Sequence, residues 1–116
     1  MKGKPAPHIK TNAAGVTVRV TLNGEVIAES RDAVAMKEGD YPVVYYIPRR
    51  DVKMDRLERS SHKTYCPFKG DAAYFSLKNG PENAVWSYEQ PYDEMSVIKD
   101  LLAFYPDKVD VVSFAS

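Results

Sequence analysis

From Val16 to Leu22 the chain alternates: Val16, Val18, Val20 and Leu22 fall on one side, Thr17, Arg19 and Thr21 on the other. A period of two is that of a strand with one buried face. Asn23-Gly24 follows, and both residues accept the positive φ of a type I′ turn. Glu25–Ser30 then returns as a second strand with Val26 and Ala28 on one face. The same reading predicts a short strand over Ala33–Met36, a turn at Glu38-Gly39-Asp40 and a strand over Tyr41–Ile47. Pro42 belongs at the start or edge of that strand, and Pro48 ends it. Arg49–Arg59 is densely charged, with Val52, Met54 and Leu57 as anchors for a helical or 3₁₀ turn. His62–Cys66, Ala72–Lys78, Ala84–Tyr88 and Lys108–Phe114 read as further short strands.

One stretch has a different period. Met95, Ile98, Leu101, Leu102 and Tyr105 recur at helical spacing, with Asp93 as N-cap, Glu94 in the first turn and Pro106 as the stop. A helix is therefore predicted over Glu94–Phe104. Residues 1–15 show no periodicity and are expected to form a flexible surface tail ahead of a single domain over 16–116. Strands at short intervals with one late helix favour antiparallel sheets, because parallel pairing needs helical crossovers. The predicted class is mostly β (α+β).

Composition narrows the function. A chain of 116 residues buries about two-thirds of its unfolded surface. Sixteen basic and sixteen acidic residues cancel, so a nucleic-acid partner held by bulk charge is not expected. The single cysteine rules out an internal disulfide and suits a reducing compartment. The N-terminal segment lacks an apolar signal-like region, and no apolar run is long enough to span a bilayer. A cytoplasmic protein with no membrane partner is expected; nothing in the sequence specifies its oligomeric state.

The chemistry concentrates in Thr64–Tyr74, where Cys66, Pro67, Lys69, Gly70 and Asp71 share one short connection. Lys69 would lower the pKa of a neighbouring thiol, and His62 or Asp51 would orient a base, making Cys66 a candidate nucleophile. The ordinary alternative is a small buried hydrophobe. Lys69-Gly70-Asp71 is no phosphate loop, since it lacks the GxxxxGK pattern. No metal and no cofactor are expected, because a zinc site takes about four N/S ligands with pairing such as CxxC. The aromatic residues suggest a third possibility. Tyr45 and Tyr46 must diverge, as must Tyr74 and Phe75, while Trp86 and Tyr88 share a face. One such set would fill the core, and a second would suit the wall of a small-molecule cavity.

Taken in order, LNGEVIAES, YPVVYYIPRRDV, TYCPFKGDAAYFSL, AVWSYEQP and AFYPDKVDV resemble the family called domain of unknown function 427. The resemblance runs from Val16 to Val112. It implies a β-tent, two antiparallel sheets meeting along one edge with a small helix near the C-terminus. It marks Tyr46, Pro48, Asp51, Cys66, Pro67, Lys69, Gly70, Tyr74, Trp86, Tyr88 and Pro91. Some labels of the family suggest nucleotidyl transfer, but this chain shows neither the paired metal-binding carboxylates nor the phosphate loop of that reaction.

The leading expectation is a small-molecule or peptide-end binding module. Its pocket would comprise Tyr46, Asp51, Lys69, Tyr74, Trp86 and Tyr88, with Cys66 at the wall. The rivals are a thiol-dependent enzyme using Cys66 and a structural or interaction protein associating through an exposed edge strand.

Overall fold

The computed structural model describes residues 1–115. Its strands are β1 (Ile9–Ala13), β2 (Thr17–Leu22), β3 (Glu25–Ser30), β4 (Val34–Glu38), β5 (Val44–Tyr46), β6 (Leu57–Cys66), β7 (Gly70–Leu77), β8 (Val85–Ser87), β9 (Ala103–Phe104) and β10 (Asp110–Phe114). They form three antiparallel sheets, ordered β1-β4-β5, β10-β2-β3 and β6-β7-β8-β9. The mostly β class is as expected, with three small sheets where the family resemblance implied two. Among the described residues no helix is long and apolar enough to cross a membrane.

The β2–β3 hairpin turns at Asn23 (φ 51°) and Gly24 (φ 84°), the double positive φ that Asn-Gly supplies. Its register contains a bulge that alternation does not reveal. Val20 faces Ala28 and Thr21 faces Val26, so Ile27 is the extra residue on β3. Ile27 and Ala28 are consequently both buried, where strict alternation predicted Val26 with Ala28.

Two further expectations are corrected. Glu94–Phe104 is not an α-helix. A kinked 3₁₀ segment covers Asp93–Ile98, Asp100 takes a positive φ of 64°, and the chain then extends into β9. Leu102, Ala103 and Phe104 are buried in succession, and such a short apolar run fits a strand as readily as a helix. Backbone pairing decides the matter: β9 lies beside β8, while Ile47 and Leu102 exchange two 2.8 Å hydrogen bonds. Asp93 does not cap the segment; its carboxylate accepts from the Met1 amino group at 3.0 Å. The expected tail is also partly ordered into the fold, since β1 pairs with β4 from Ile9–Glu38 to Ala13–Val34. One buried apolar residue, Ile9, was too little pattern to mark an edge strand.

The Ile47–Leu102 link ties the first sheet to the third. The segment after β5 makes two 3₁₀ turns, Arg49–Asp51 and Met54–Arg56, and is tied to β3 by Lys53 N–H donating to the Ile27 carbonyl at 2.9 Å. The sheets enclose two hydrophobic cores. Val18, Val20, Ile27, Phe75, Leu77, Val85 and Leu102 build the first. Met36, Tyr46, Tyr74, Tyr88, Met95 and Ile98 build the second. Each fully buried aliphatic or aromatic side chain contributes about 1.5–3 kcal/mol.

Candidate functional site

A cavity of about 800 Å³ lies where the three sheets converge, within the usual size range of small-molecule sites. Val20 of β2 and Val111 of β10 close one side, and Met36, Val44, Tyr46 and Ile47 come from the first sheet. Tyr74, Trp86, Tyr88, Phe104 and Tyr105 come from the third sheet and its flanks. The loop Tyr41-Pro42-Val43 stands exposed at the same cavity.

Strand register explains the aromatic wall. Tyr74 and Trp86 are direct partners across β7 and β8, so both side chains leave the sheet on one face. Phe75 points the other way, into the first core. The rings make an interlocking set. Trp86 and Tyr105 lie 4.4 Å apart between centroids, Tyr46 meets Trp86 edge-on at 6.2 Å, and Tyr74 lies nearly parallel to Tyr105 at 6.5 Å.

The hydroxyls are unevenly satisfied. Tyr74 shares hydrogen bonds with Thr64 at 3.0 Å and Tyr105 at 3.3 Å. The Trp86 indole N–H donates to the Tyr46 oxygen at 3.4 Å. Burial pushes the phenols of Tyr46, Tyr88 and Tyr105 well above their usual range. In Tyr46 the Trp86 hydrogen bond opposes that rise, and in Tyr105 the Tyr74 hydroxyl adds to it. All three are therefore neutral O–H groups at ordinary pH.

One end of the cavity is charged. Lys69 sits in the β6–β7 turn, where Gly70 has φ 108° and the Gln90 carbonyl oxygen lies 3.4 Å from where a Cβ would be. That turn carries Lys69 inward until only 8% of it is exposed. Its ammonium donates to Glu38 Oε1 at 2.7 Å, lies 3.9 Å from Cys66 Sγ, and sits 6.0 Å from the Tyr88 ring centroid. Glu38 Oε2 is 3.7 Å from His8 Nε2, and the His8 ring meets Phe68 edge-on. The β1 segment thus buttresses the charged end.

Tyr46, Lys69, Tyr74, Trp86 and Tyr88 all line this one cavity. Asp51 does not: its Oδ2 accepts the Ser30 hydroxyl at 2.6 Å, beside β3. Cys66 is half-buried behind Lys69 and is not part of the lining. His62 packs its ring edge-on against Tyr74 at 4.6 Å, and neither it nor Asp51 hydrogen-bonds the Cys66 sulfur. Glu38, Phe104 and Tyr105 escaped the sequence reading. Glu38 looked like part of a turn, and the other two looked like part of a helix. Only the double aromatic of AFYP, close to a proline, resembled the other wall segments.

The opposite face of β7 and β8 carries a separate polar network. Glu89 accepts two hydrogen bonds from Arg59, at 3.0 and 2.7 Å, and one from Arg49 at 2.9 Å. Arg49 also donates to Ser87 Oγ at 3.1 Å and to the Asp100 carbonyl at 2.7 Å. Both guanidinium groups stack over Phe75. The Arg59 bonds, with those of Arg49, overcome partial burial and hold Glu89 at about 2. Arg49, Arg59, Ser87 and Glu89 thus partner one another within this network. Among the described residues, no three His, Cys, Asp or Glu side chains cluster as metal ligands.

Fold and cavity define a small mostly β protein whose three antiparallel sheets surround an aromatic-walled chamber with one charged end. The chain belongs to the family described as domain of unknown function (DUF427), whose model matches residues 10–114, from β1 through β10. No curated protein is significantly similar to it.

Proposed function

We propose that this chain is a binding module for a small planar molecule held in the aromatic cavity. The observation that carries the reading is the composition of the wall. Tyr46, Tyr74, Trp86, Tyr88, Phe104 and Tyr105 converge on one half-open cleft of ligand size, the concave, aromatic-lined form that small-molecule sites take. Aromatic side chains suit this role because they offer large apolar area with few rotatable bonds. The exposed Tyr41-Pro42-Val43 loop supplies further apolar surface at the site.

Trp86 is the sole tryptophan, so its indole N–H gives one isolated ¹⁵N–¹H signal inside the cavity. Naphthalene, planar and without polar groups, is the probe. A saturable shift of that signal is expected, lost in Val44→Phe, where the added ring occupies the chamber. No shift up to the solubility of naphthalene would overturn the proposal.

A further inference from the structure

The cavity's hydrogen-bonding groups are mismatched in a way that specifies an occupant. Tyr88 is 7% exposed, yet its hydroxyl hydrogen-bonds no described residue. Among the described residues only Asn83 Oδ1 is sealed from solvent without a partner. The Tyr88 hydroxyl therefore faces open space, and Tyr88 lines the cavity. Tyr46 is 2% exposed and accepts from Trp86, but its own proton goes to no described acceptor. Lys69 offers three N–H bonds, and its polar neighbours, Glu38 Oε1 and Cys66 Sγ, account for two. Each group has donor capacity left that a ligand acceptor would use.

We infer that the ligand of this cavity carries a neutral acceptor oxygen, such as the carbonyl of an aryl ketone, that takes hydrogen bonds from the Tyr88 and Tyr46 hydroxyls beside Lys69. The inference rests on the binding function proposed above and specifies the ligand's chemistry. Both phenols are held neutral by burial, so both act as donors. A carboxylate is the wrong acceptor: Glu38 already neutralises Lys69 at 2.7 Å, and a second carboxylate would face it in a poorly solvated space. A ligand N–H edge uses this end less fully: Lys69 has no acceptor and the Tyr46 oxygen already accepts from Trp86, which leaves the Tyr88 oxygen alone to take it. The apolar remainder of such a ligand would lie against Trp86 and Tyr105.

Acetophenone and α-methylstyrene test this directly, because they share one shape and differ by C=O against C=CH₂. Binding is read from the Trp86 indole signal in the wild-type chain and in Tyr88→Phe, which keeps the ring and removes a hydroxyl with no described protein partner. Expected is a loss of about fivefold or more in acetophenone affinity in Tyr88→Phe, with α-methylstyrene unchanged within about twofold. Tyr46→Phe should act in the same direction. Equal effects of Tyr88→Phe on the two probes, or none on either, overturn the acceptor inference while α-methylstyrene binding upholds the cavity. Failure of both probes to bind the wild-type chain overturns the binding function and this inference together. Benzoate provides the charge test: affinity about tenfold above that of acetophenone would overturn the neutral acceptor. Thermal unfolding of each variant verifies that the fold is kept.

Discussion

The ammonium nitrogen of Lys69 lies 2.7 Å from Oε1 of Glu38, although 31 positions separate the two residues. One comes from the β6–β7 turn and the other from the end of β4, so the pair joins the third sheet to the first at the charged end of the cavity. Lys69 is largely buried and Glu38 partly so. Removing one partner strands the other, which costs more than the pair contributes as a unit. Lys69→Met is therefore expected to destabilise the protein by about 1–3 kcal/mol. Lys69→Met with Glu38→Gln should recover at least half of that loss. Chemical denaturation of the two variants checks it; a double variant as unstable as the single one would mean the ion pair is not the cause.

Acid should find the Glu89 network first. Its folded pKa is about 2, against the usual 4.5, held there by Arg59 and then Arg49. A depressed carboxylate contributes stability that is complete above the unfolded value and fades as pH falls from about 4.5 through about 2. Glu89→Gln should flatten the acid limb of the stability profile across that window. At neutral pH it should cost about 1–2 kcal/mol. Urea midpoints measured from pH 2 to pH 7 give both quantities, and parallel acid limbs for the two proteins would count against the assignment.

Gly70 combines φ 108° with the backbone of Gln90–Tyr92 passing close to its missing side chain. Gly70→Ala must hold a φ that L-residues avoid and push on that backbone as well. A loss of about 1–3 kcal/mol in stability is expected, together with a displaced Lys69 and a shifted Trp86 indole signal. Gly24→Ala gives the contrast, because nothing lies within 4 Å of its added carbon. It should lower stability while leaving the indole signal in place.

Cys66 separates the binding proposal from thiol chemistry. Its sulfur lies near Lys69 but outside the cavity lining. Cys66→Ala is expected to leave naphthalene affinity unchanged within about twofold, because a small half-buried side chain away from the wall contributes little to it. A loss of about tenfold or more, seen by the same indole signal, would place the thiol in the site.

The elements read correctly were those whose evidence is local. Alternation from Val16 to Leu22 and the Asn23-Gly24 turn specify the hairpin without reference to any other segment. The divergence of Tyr74 and Phe75 follows from pleat geometry alone. Part of the aromatic wall was legible for the same reason, since Tyr46, Tyr74 and Trp86 lie on strands of unmistakable composition and Tyr88 directly follows one.

What escaped depended on partners distant in the chain. Ile27 is buried because a bulge shifts the β3 register, and alternation cannot count an extra residue. Leu102 and Tyr105 belong to an apolar series at helical spacing, yet the chain from Leu102 to Phe104 extends because Ile47 and β8 bind its backbone. Asp51 stood among marked residues but turned to Ser30, and Glu38 stood in a turn but met Lys69. Sequence by itself determined the mostly β class, the hairpin and which aromatic residues share a face, because these follow from backbone geometry over a few residues. Only the tertiary structure decided the third sheet, the cavity's charged end and the unused donor capacity of the Tyr46 and Tyr88 hydroxyls. A long-range hydrogen bond depends on where two chain segments meet in space, and no local period encodes that meeting.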